Sequence, residues 1–331
     1  MIDPVRWGFL GAGSIAVTAL APAVHAADGA VLYAAAARDP ARAAALGPSG
    51  PSYGAYRELL ADRNVEAVYI SLANDAHRPW SEAALRAGKH VLCEKPLALS
   101  AAEVDAVTAV ATESGRRLVE ASWYRWHPRV RLAQRLLADG AIGTVRHVAA
   151  AFAFDGVADG NYRMNPALGG GALYDVGCYA VSAALWAFRD RPPVDVAARL
   201  ELGSTGVDLR AELVIDFGGG EAEVLAGMSG PAAQSLVIAG ERGELELREA
   251  PFTAWREQAS ELWLSTGGRT ERIPVPAADA YQLMVTDVSR LIRGEPGVGL
   301  PLAESRATAA VLDAAFASGR AGGAPIAVAF G

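Results

Sequence analysis

Short, largely apolar runs alternate with helix-like segments through the first third of the chain. The runs at 5–10, 30–37 and 67–72 have the length and composition of buried strands. Alternation of this kind is typical of βαβ units and a parallel sheet. The same pattern predicts further strands at 91–93 and 117–121, and helices at 40–46, 56–61, 79–87 and 101–114.

Beyond a predicted helix at 128–139, the pattern changes to strand-like segments separated by glycine-containing turns. Consecutive strands with short turns predict a mainly antiparallel sheet, and a helix near 177–188 is expected to cover one of its faces. The predicted strands lie at 145–154, 194–202, 209–217, 221–228 and 234–238, and helices return at 278–293 and 303–317.

These two patterns predict the fold class and two domains. Residues 1–121 are expected to form an α/β Rossmann domain with a doubly wound parallel sheet that binds NAD(P). Residues 122–331 are expected to form an α+β domain with a large, mainly antiparallel, open-faced sheet for substrate binding and oligomerisation. A length of 331 residues is consistent with two domains.

Charge and cysteine content narrow the choice of partner. The formal net charge is −7, and the absence of a lysine or arginine run argues against nucleic acid and anionic membranes as partners. Cys93 and Cys178 provide neither a disulfide framework nor the spacing of a metal site. We therefore expect a cytoplasmic protein that acts on a small molecule, with no metal.

Residues 5–27 are apolar and alanine-rich, as in an export signal. Glycines interrupt the apolar run, however, and the basic residue Arg6 is offset by Asp3. We interpret the segment as a strand followed by a phosphate-binding turn. We expect no other stretch of the chain to span a bilayer.

A glycine-rich turn follows the first predicted strand. Gly11, Gly13 and Ala16 form the pattern G-x-G-x-x-A, in which the first glycine permits a tight turn and the second admits a pyrophosphate. The helix N-terminus beyond it favours an anion. We predict that Gly11, Gly13, Ser14 and Ile15 contact a dinucleotide, with a methyltransferase that uses an adenosyl cofactor as the alternative.

The end of the second predicted strand distinguishes the two nicotinamide cofactors. An acidic residue at this place favours NAD, whereas an arginine accommodates the 2′-phosphate of NADP. Arg38 occupies the position, and Asp39 precedes a helix that starts with proline, where it serves as N-cap. We therefore predict NADP in preference to NAD.

Glu94-Lys95-Pro96 follows the predicted strand at 91–93. Ligands of open parallel sheets bind beyond the carboxyl ends of the strands, so Lys95 is expected to point at a ligand. Pro96 fixes its own φ and disfavours a helical Lys95, which places the lysine on a stiff, extended corner.

Together with the segment 169–179, which reads GGGALYDVGCY, these motifs resemble the glucose–fructose oxidoreductase/inositol dehydrogenase (Gfo/Idh/MocA) family over essentially the whole chain. The resemblance implies that Lys95 lies near the nicotinamide and the substrate hydroxyl. It implies that Asp175 and the last residue of the D-x-G-x-[H/Y] motif take part in catalysis, and that the last residue transfers a proton. That last residue is Tyr179, as in glucose–fructose oxidoreductase-like and dihydrodiol dehydrogenase-like members, rather than histidine. The resemblance also places Leu72, Asn74, His77, Glu94 and Lys95 along the cofactor.

Asp175 and Tyr179 share one face of a helix, since four positions separate them. A free tyrosine has a pKa near ~10, and an adjacent ammonium lowers it. We hypothesise that Tyr179 is the acid/base of a hydride transfer and that Lys95 tunes it and binds the reacting oxygen. Asp175 would orient a substrate hydroxyl or Lys95.

The remaining expectations concern substrate and assembly. The expected substrate is a carbohydrate or a related cyclic alcohol or ketone, and the alternative function is a non-catalytic, NADP-binding ligand sensor on the same fold. Alternating apolar residues such as Val214, Leu225 and Leu236 predict a sheet face that pairs subunits into a homodimer or homotetramer. The candidate substrate contacts are Trp123, Arg125, Tyr162 and Arg163.

Overall fold

The computed structural model describes residues 3–158, 160–189 and 191–329. These residues form two compact units, each of which contains one sheet. The first unit comprises Met1–Ala98, Ala102–Trp126 and Asp279–Ser305, and the second comprises Leu99–Ala101, His127–Ala278 and Arg306–Gly331.

The first unit is built on a six-stranded, wholly parallel sheet with the strand order β3-β2-β1-β4-β5-β6. Strands that are covered on both faces become continuous apolar runs, which is the reason the sequence pattern identifies them. The segment that resembles an export signal supplies the central strand, in which Trp7 and Phe9 are fully buried. The strands are β1 Val5–Leu10, β2 Ala30–Ala36, β3 Ser52–Tyr53, β4 Ala67–Ile70, β5 His90–Cys93 and β6 Leu118–Glu120.

Helices connect these strands at the predicted places. Asp39 caps the second helix as predicted, because its carboxylate accepts the amide of Ala41 at 2.9 Å and proline follows it. The helices are α1 Ala21–Ala26, α2 Pro40–Ala44, α3 Tyr56–Ala61, α4 His77–Arg86 and α5 Ala101–Ser114.

Lys89, which follows α4, is a buried lysine. Its ammonium donates to the carbonyl oxygens of Asp62 (2.6 Å) and Val65 (2.8 Å), and 6% of the residue is exposed. Burial lowers the pKa of this amine. Lys89 therefore ties the end of α4 to the loop before β4.

A helix from late in the chain, α8 Ala280–Ile292, belongs to the first unit. The indole Nε1 of Trp7 donates to Ser289 Oγ at 3.1 Å, and Arg293 pairs with Glu66 at 2.8 Å. The sequence division at residue 121 does not include this helix in the nucleotide-binding unit. These contacts join residues more than two hundred positions apart, so periodicity gives no indication of them.

The second unit contains a nine-stranded sheet with the order β14-β13-β12-β11-β7-β10-β9-β8-β15. Its described pairs are antiparallel except for β7 with β10, which confirms the predicted fold class. The strands are β7 Val145–Ala153, β8 Asp195–Leu202, β9 Asp208–Asp216, β10 Glu221–Gly227, β11 Ala233–Gly240, β12 Gly243–Leu247, β13 Ser260–Thr266, β14 Arg269–Val275 and β15 Ile326–Ala327.

One face of this sheet is covered by α7 Cys178–Phe188, as predicted. Two further described helices are α6 Pro128–Ala138 and α9 Leu302–Arg320. The expectation that Leu236 lies on the open face is wrong. Leu236 is fully buried and pairs in register with the buried Ala150, so it faces inward. Val214, 45% exposed, and the half-buried Leu225 do lie on the open side.

One helical stretch, Pro166–Phe188, is long and apolar enough to cross a membrane by length and composition. The sequence expectation did not include such a stretch. Of the 18-residue apolar window within this stretch, 89% is buried inside the protein. Burial of this extent indicates the core helix of the second unit.

Candidate active site

The glycine-rich turn leaves room for a phosphate group next to the backbone. Gly11 has φ +103°, and a Cβ there would lie 2.6 Å from the carbonyl oxygen of Ser71, so only glycine fits. At Gly13, by contrast, the nearest atom would be 3.9 Å away. Ser14 is exposed and Ile15 half-buried, and Ile15 is the N-cap of a π-helical turn, Ala16–Leu20, that continues into α1. The open space beside Gly13, at a helix N-terminus, suits a dinucleotide pyrophosphate.

The other predicted cofactor residues of this unit follow the carboxyl ends of neighbouring strands. Arg38 follows β2, Leu72 and Asn74 follow β4, and Glu94 and Lys95 follow β5. Because the sheet is parallel, with β2 and β4 on either side of β1 and β5 next to β4, the residues are brought to one edge of the sheet. This is the edge at which open α/β sheets bind ligands.

Arg42 is a functional candidate that sequence reasoning missed. Its guanidinium donates to the carbonyl oxygen of Ala12, inside the glycine-rich turn, at 2.6 Å. Arg42 and Arg38 are both exposed, and both interact electrostatically with Tyr56. Arg38 lies just before the N-cap residue Asp39, whereas Arg42 lies within α2. Arg42 therefore places a positive charge beside the turn.

Two buried carboxylates accept backbone amides of the segment 95–97. Glu94 Oε1 accepts the hydroxyl of Tyr69 at 2.7 Å, and Glu94 Oε2 accepts the amide of Lys95 at 3.3 Å. Glu120, the last residue of β6, accepts the amide of Leu97 at 3.1 Å. Burial raises the pKa of both carboxyl groups, and the charge of Lys95 opposes that rise. Sequence reasoning missed Glu120, although it ends the strand next to the one that carries Lys95.

His77 joins two loops of this edge. Its ring nitrogens lie 2.7 Å from the carbonyl oxygen of Pro96 and 3.2 Å from that of Leu72. The residue is 1% exposed, and burial lowers the pKa of the imidazole. His77 therefore links the loop after β4 to the loop after β5 through backbone contacts.

In the second unit, Asp175 and Arg163 form a close ion pair. Arg163 Nε donates to Asp175 Oδ2 at 2.6 Å, and the guanidinium lies 4.9 Å from the ring centroid of Tyr162. The carboxylate of Asp175 raises the pKa of Arg163, and the phenol of Tyr179 interacts with the same guanidinium. Three predicted site residues, Asp175, Tyr162 and Tyr179, therefore interact with the guanidinium of a fourth, Arg163.

Tyr179 lies in an apolar surrounding in the first turn of α7. Its ring centroid is 5.5 Å from that of Phe152 and 6.1 Å from that of Phe252, and 7% of the residue is exposed. Asp175 lies in the wider π-helical turn Leu173–Gly177 that leads into α7, a geometry common at functional sites. Apolar packing of a phenol next to an arginine suits a group that exchanges a proton.

The glycines before this helix pack against the chain itself. A Cβ at Gly170 would lie 2.4 Å from the carbonyl oxygen of Arg163, and a Cβ at Gly171 would lie 2.0 Å from a carboxylate oxygen of Asp208. The amide of Gly171 also donates to the Arg163 carbonyl at 2.9 Å. Close approach of the backbone to its own neighbours therefore explains these two glycines.

Two of the predicted substrate contacts have partners inside the first unit. Trp123 is 5% exposed and stacks on Tyr281 with a centroid distance of 4.3 Å. Arg125 Nη1 lies 2.5 Å from Glu304 Oε2. Tyr162 and Arg163 belong to the second unit and are half-buried.

A buried arginine shapes the segment that contacts Tyr179. Arg129 is 1% exposed, and its guanidinium donates to the carbonyl oxygens of Arg248 (2.7 Å), Glu249 (3.1 Å) and Ala250 (2.8 Å). Burial lowers its pKa to about 10. Phe252, which packs near Tyr179, comes two residues after this anchored turn.

Comparison with known proteins gives matches along both halves of the chain. Residues 5–122 match the model of an oxidoreductase family with an NAD-binding Rossmann fold, and residues 130–246 match the GFO/IDH/MocA C-terminal domain. A D-xylose 1-dehydrogenase (NADP(+)) of Haloferax volcanii is 36% identical over 97% of this chain and 99% of its own. A dTDP-3,4-didehydro-2,6-dideoxy-alpha-D-glucose 3-reductase of Saccharopolyspora spinosa is 32% identical over 91% of each.

A solved structure of similar fold is that of a 3-ketoreductase from Actinomadura kijaniata with NADP and TDP-benzene. It has a TM-score of 0.87 and 28% identity, over 96% of this chain and 98% of that one. Variants of that ketoreductase have also been solved. In one a tyrosine is replaced by phenylalanine, and in others a lysine is replaced by alanine or glutamate.

Proposed function

Because the chain belongs to the Gfo/Idh/MocA family of oxidoreductases, we propose that it is an NADP(H)-dependent oxidoreductase of a sugar or related cyclic polyol. The reaction transfers a hydride to or from a secondary alcohol, a ketone or an anomeric carbon, as in an aldose dehydrogenase or a keto-sugar reductase. Family membership decides against the alternative of a methyltransferase with an adenosyl cofactor.

The observation that carries the proposal is the joint presence of Lys95 and Tyr179. In the ketoreductase of Actinomadura kijaniata, the replaced lysine and tyrosine are separated by the same number of residues as Lys95 and Tyr179. The agreement supports the assignment of this chain to the tyrosine-containing subgroup. It also supports catalysis over the sensor alternative, since a sensor needs neither side chain for proton transfer.

In the proposed mechanism, the glycine-rich turn, Arg38 and the loops after β4 and β5 hold NADP. The cofactor, when bound, supplies or accepts the hydride, and the protein supplies position and proton transfer. Lys95 binds the substrate oxygen that changes between hydroxyl and carbonyl. Tyr179 takes the hydroxyl proton during oxidation and returns it during reduction. The positive charge of Arg163 favours the phenolate, and Asp175 holds that arginine in place.

The choice of NADP over NAD gives a first prediction. Arg38→Ala is expected to weaken NADPH binding by about 10–100-fold and to leave NADH binding unchanged, because a charged hydrogen bond to the 2′-phosphate is lost. Arg42→Ala is expected to act in the same direction. Fluorescence titration with both cofactors measures the effect.

The control for this prediction is Arg57→Ala, which removes the same charge from an exposed position of α3. An equal loss of NADPH affinity in Arg57→Ala and Arg38→Ala would mean that the overall electrostatic field of the protein, rather than a contact with the 2′-phosphate, determines this affinity.

A substrate panel tests the class of reaction. Purified protein with NADP is expected to oxidise one or more aldoses or cyclic polyols, or to reduce a keto-sugar with NADPH, as followed by absorbance of the reduced nicotinamide. NADPH binding without turnover over a broad panel of sugars, ketones and sugar nucleotides would favour the ligand sensor instead.

The open face of the second sheet is the proposed subunit interface. A groove with a floor of alanines, among them Ala149, Ala151 and Ala197, is bordered by Val214 and Leu225. An apolar sheet face of this kind is stabilised by pairing with a second copy. We propose that the protein is a homodimer or homotetramer through this face.

The interface proposal predicts that Leu225→Lys dissociates the oligomer, because a charge would be buried in the apolar groove. Light scattering at micromolar protein concentration measures the mass. Leu202→Lys, at a position that is 61% exposed at the end of β8, is the control and is expected to leave the mass unchanged. A monomeric wild-type protein would disprove the interface.

A further inference from the structure

A buried carboxylate without a role in the proposed mechanism lies at the start of the helix that carries Asp175 and Tyr179. Asp208, the first residue of β9, is 2% exposed. Its Oδ2 accepts the amide of Leu173 at 2.7 Å, and the amides of Ala172 and Asp208 itself also donate to the carboxylate. Two amides at the start of the helix, those of Ala172 and Leu173, therefore converge on a side chain of another element, and the amide of Asp208 itself is a third donor.

The helix has no cap of its own at this end. Ala172 precedes the π-helical turn Leu173–Gly177 and provides no side-chain hydrogen bond. The first N–H groups of a helix have no partner within it, and a buried donor without a partner is unfavourable. The carboxylate of Asp208 supplies the missing acceptors, and its negative charge is favourable at the positive end of the helix dipole.

Gly171 is fitted to this carboxylate. It has φ +116°, and a Cβ at this position would lie 2.0 Å from Asp208 Oδ1. The carbonyl oxygen of Gly171 accepts the amide of Asp175 at 3.1 Å. The amide of Gly171 donates to the backbone carbonyl oxygen of Arg163. Displacement of Asp208 would therefore disturb both members of the Arg163–Asp175 ion pair through the backbone of Gly171.

We infer that Asp208 is a positioning residue: it caps the catalytic helix from the neighbouring strand and fixes how Asp175 and Tyr179 are presented to the substrate. The inference rests on the proposed function, because a catalytic role of Tyr179 makes the position of this helix matter for turnover. Small misplacements of a catalytic group reduce rates strongly.

The test compares Asp208→Asn with the wild-type enzyme. Asparagine keeps the shape but replaces one acceptor oxygen by an NH₂ group, which cannot accept from an amide. We expect kcat to fall about tenfold and the Kd for NADPH to stay unchanged, since the predicted cofactor residues belong to the first unit. Hydrogen exchange of the amides at 172–178 is expected to become faster.

Two further variants support the comparison. Asp216→Asn, at the other end of β9, removes a carboxylate that accepts the amide of Gly218 in a turn, and it is expected to change neither kcat nor exchange at 172–178. Gly171→Ala is expected to reproduce both effects of Asp208→Asn by pushing the carboxylate away. If the two act on one cap, the double variant loses less than the product of the single losses.

Two results for Asp208→Asn would overturn the inference. One is amide hydrogen exchange at 172–178 that is as slow as in the wild type, and the other is faster exchange at these amides with unchanged kcat. Cooperative urea denaturation followed by tryptophan fluorescence verifies that each variant is folded, and Gly171→Ala decides the question if Asp208→Asn does not fold. Failure of the proposed function is detected by a different variant, Tyr179→Phe. In that case Tyr179→Phe keeps full turnover, whereas the exchange measurement still decides whether Asp208 caps the helix.

Discussion

Replacement of Tyr179 by phenylalanine is expected to lower kcat by about 10²–10⁴-fold and to leave the affinity for NADPH unchanged. The magnitude is that of general acid–base catalysis by a positioned side chain. Phenylalanine keeps the packing against Phe152 and Phe252 and removes only the hydroxyl. Lys95→Met is expected to cause a loss of similar size, because the oxygen that receives or loses charge is no longer stabilised. Steady-state kinetics on the substrate found by the panel measures both.

The helical segment that carries Tyr179 offers a matched control. The hydroxyl of Tyr174 donates to the carbonyl oxygen of Leu99 at 2.8 Å within the second unit. Tyr174→Phe therefore also removes one bonded hydroxyl, and it is expected to keep kcat within a fewfold of wild type. Near-normal turnover in either Tyr179→Phe or Lys95→Met would show that the catalytic assignment is wrong.

The second large effect concerns Arg129. Arg129→Met is expected to reduce the free energy of unfolding by about 3–5 kcal/mol, since it leaves several buried carbonyl groups without a donor. The acceptors are those of Arg248, Glu249 and Ala250. Because this turn leads to Phe252, kcat is expected to fall as well. Urea denaturation followed by tryptophan fluorescence measures the stability change.

Arg135→Met on the same helix is the control for this experiment. Arg135 is exposed, so its replacement is expected to change the free energy of unfolding by less than about 0.5 kcal/mol. An equal loss in both variants would mean that removal of positive charge from α6, rather than loss of the carbonyl contacts, destabilises the protein.

The sequence predicts the residues that act through their place on a single strand or turn. Gly11, Arg38 and Lys95 follow strands whose apolar runs are visible in the chain, and a parallel sheet brings the ends of such strands to one edge. The fold class follows from the same alternation. Confirmation of the fold class by the structure therefore reflects the fact that buried strands can be recognised locally.

Residues that act through contacts between distant segments were not predicted. Asp208 reaches the amide of Leu173 across 35 positions, and Arg129 reaches Glu249 across 120. No periodicity encodes such pairs. The strands β12–β14 were missed for a different reason: charged residues such as Glu244, Glu246 and Arg272 alternate along them and weaken the apolar signal.

The use of lysine in this chain has a practical consequence for labelling. Lys89 and Lys95 are its two lysines, and arginine is used at the other positions that carry a permanent positive charge. The ammonium of Lys89 is buried against two carbonyl groups, whereas Lys95 is half-buried at the ligand edge of the sheet. Apart from the α-amino group, an amine-directed reagent therefore meets one accessible amine. A single chemical tag, without mutagenesis, would report on the occupancy of the proposed site.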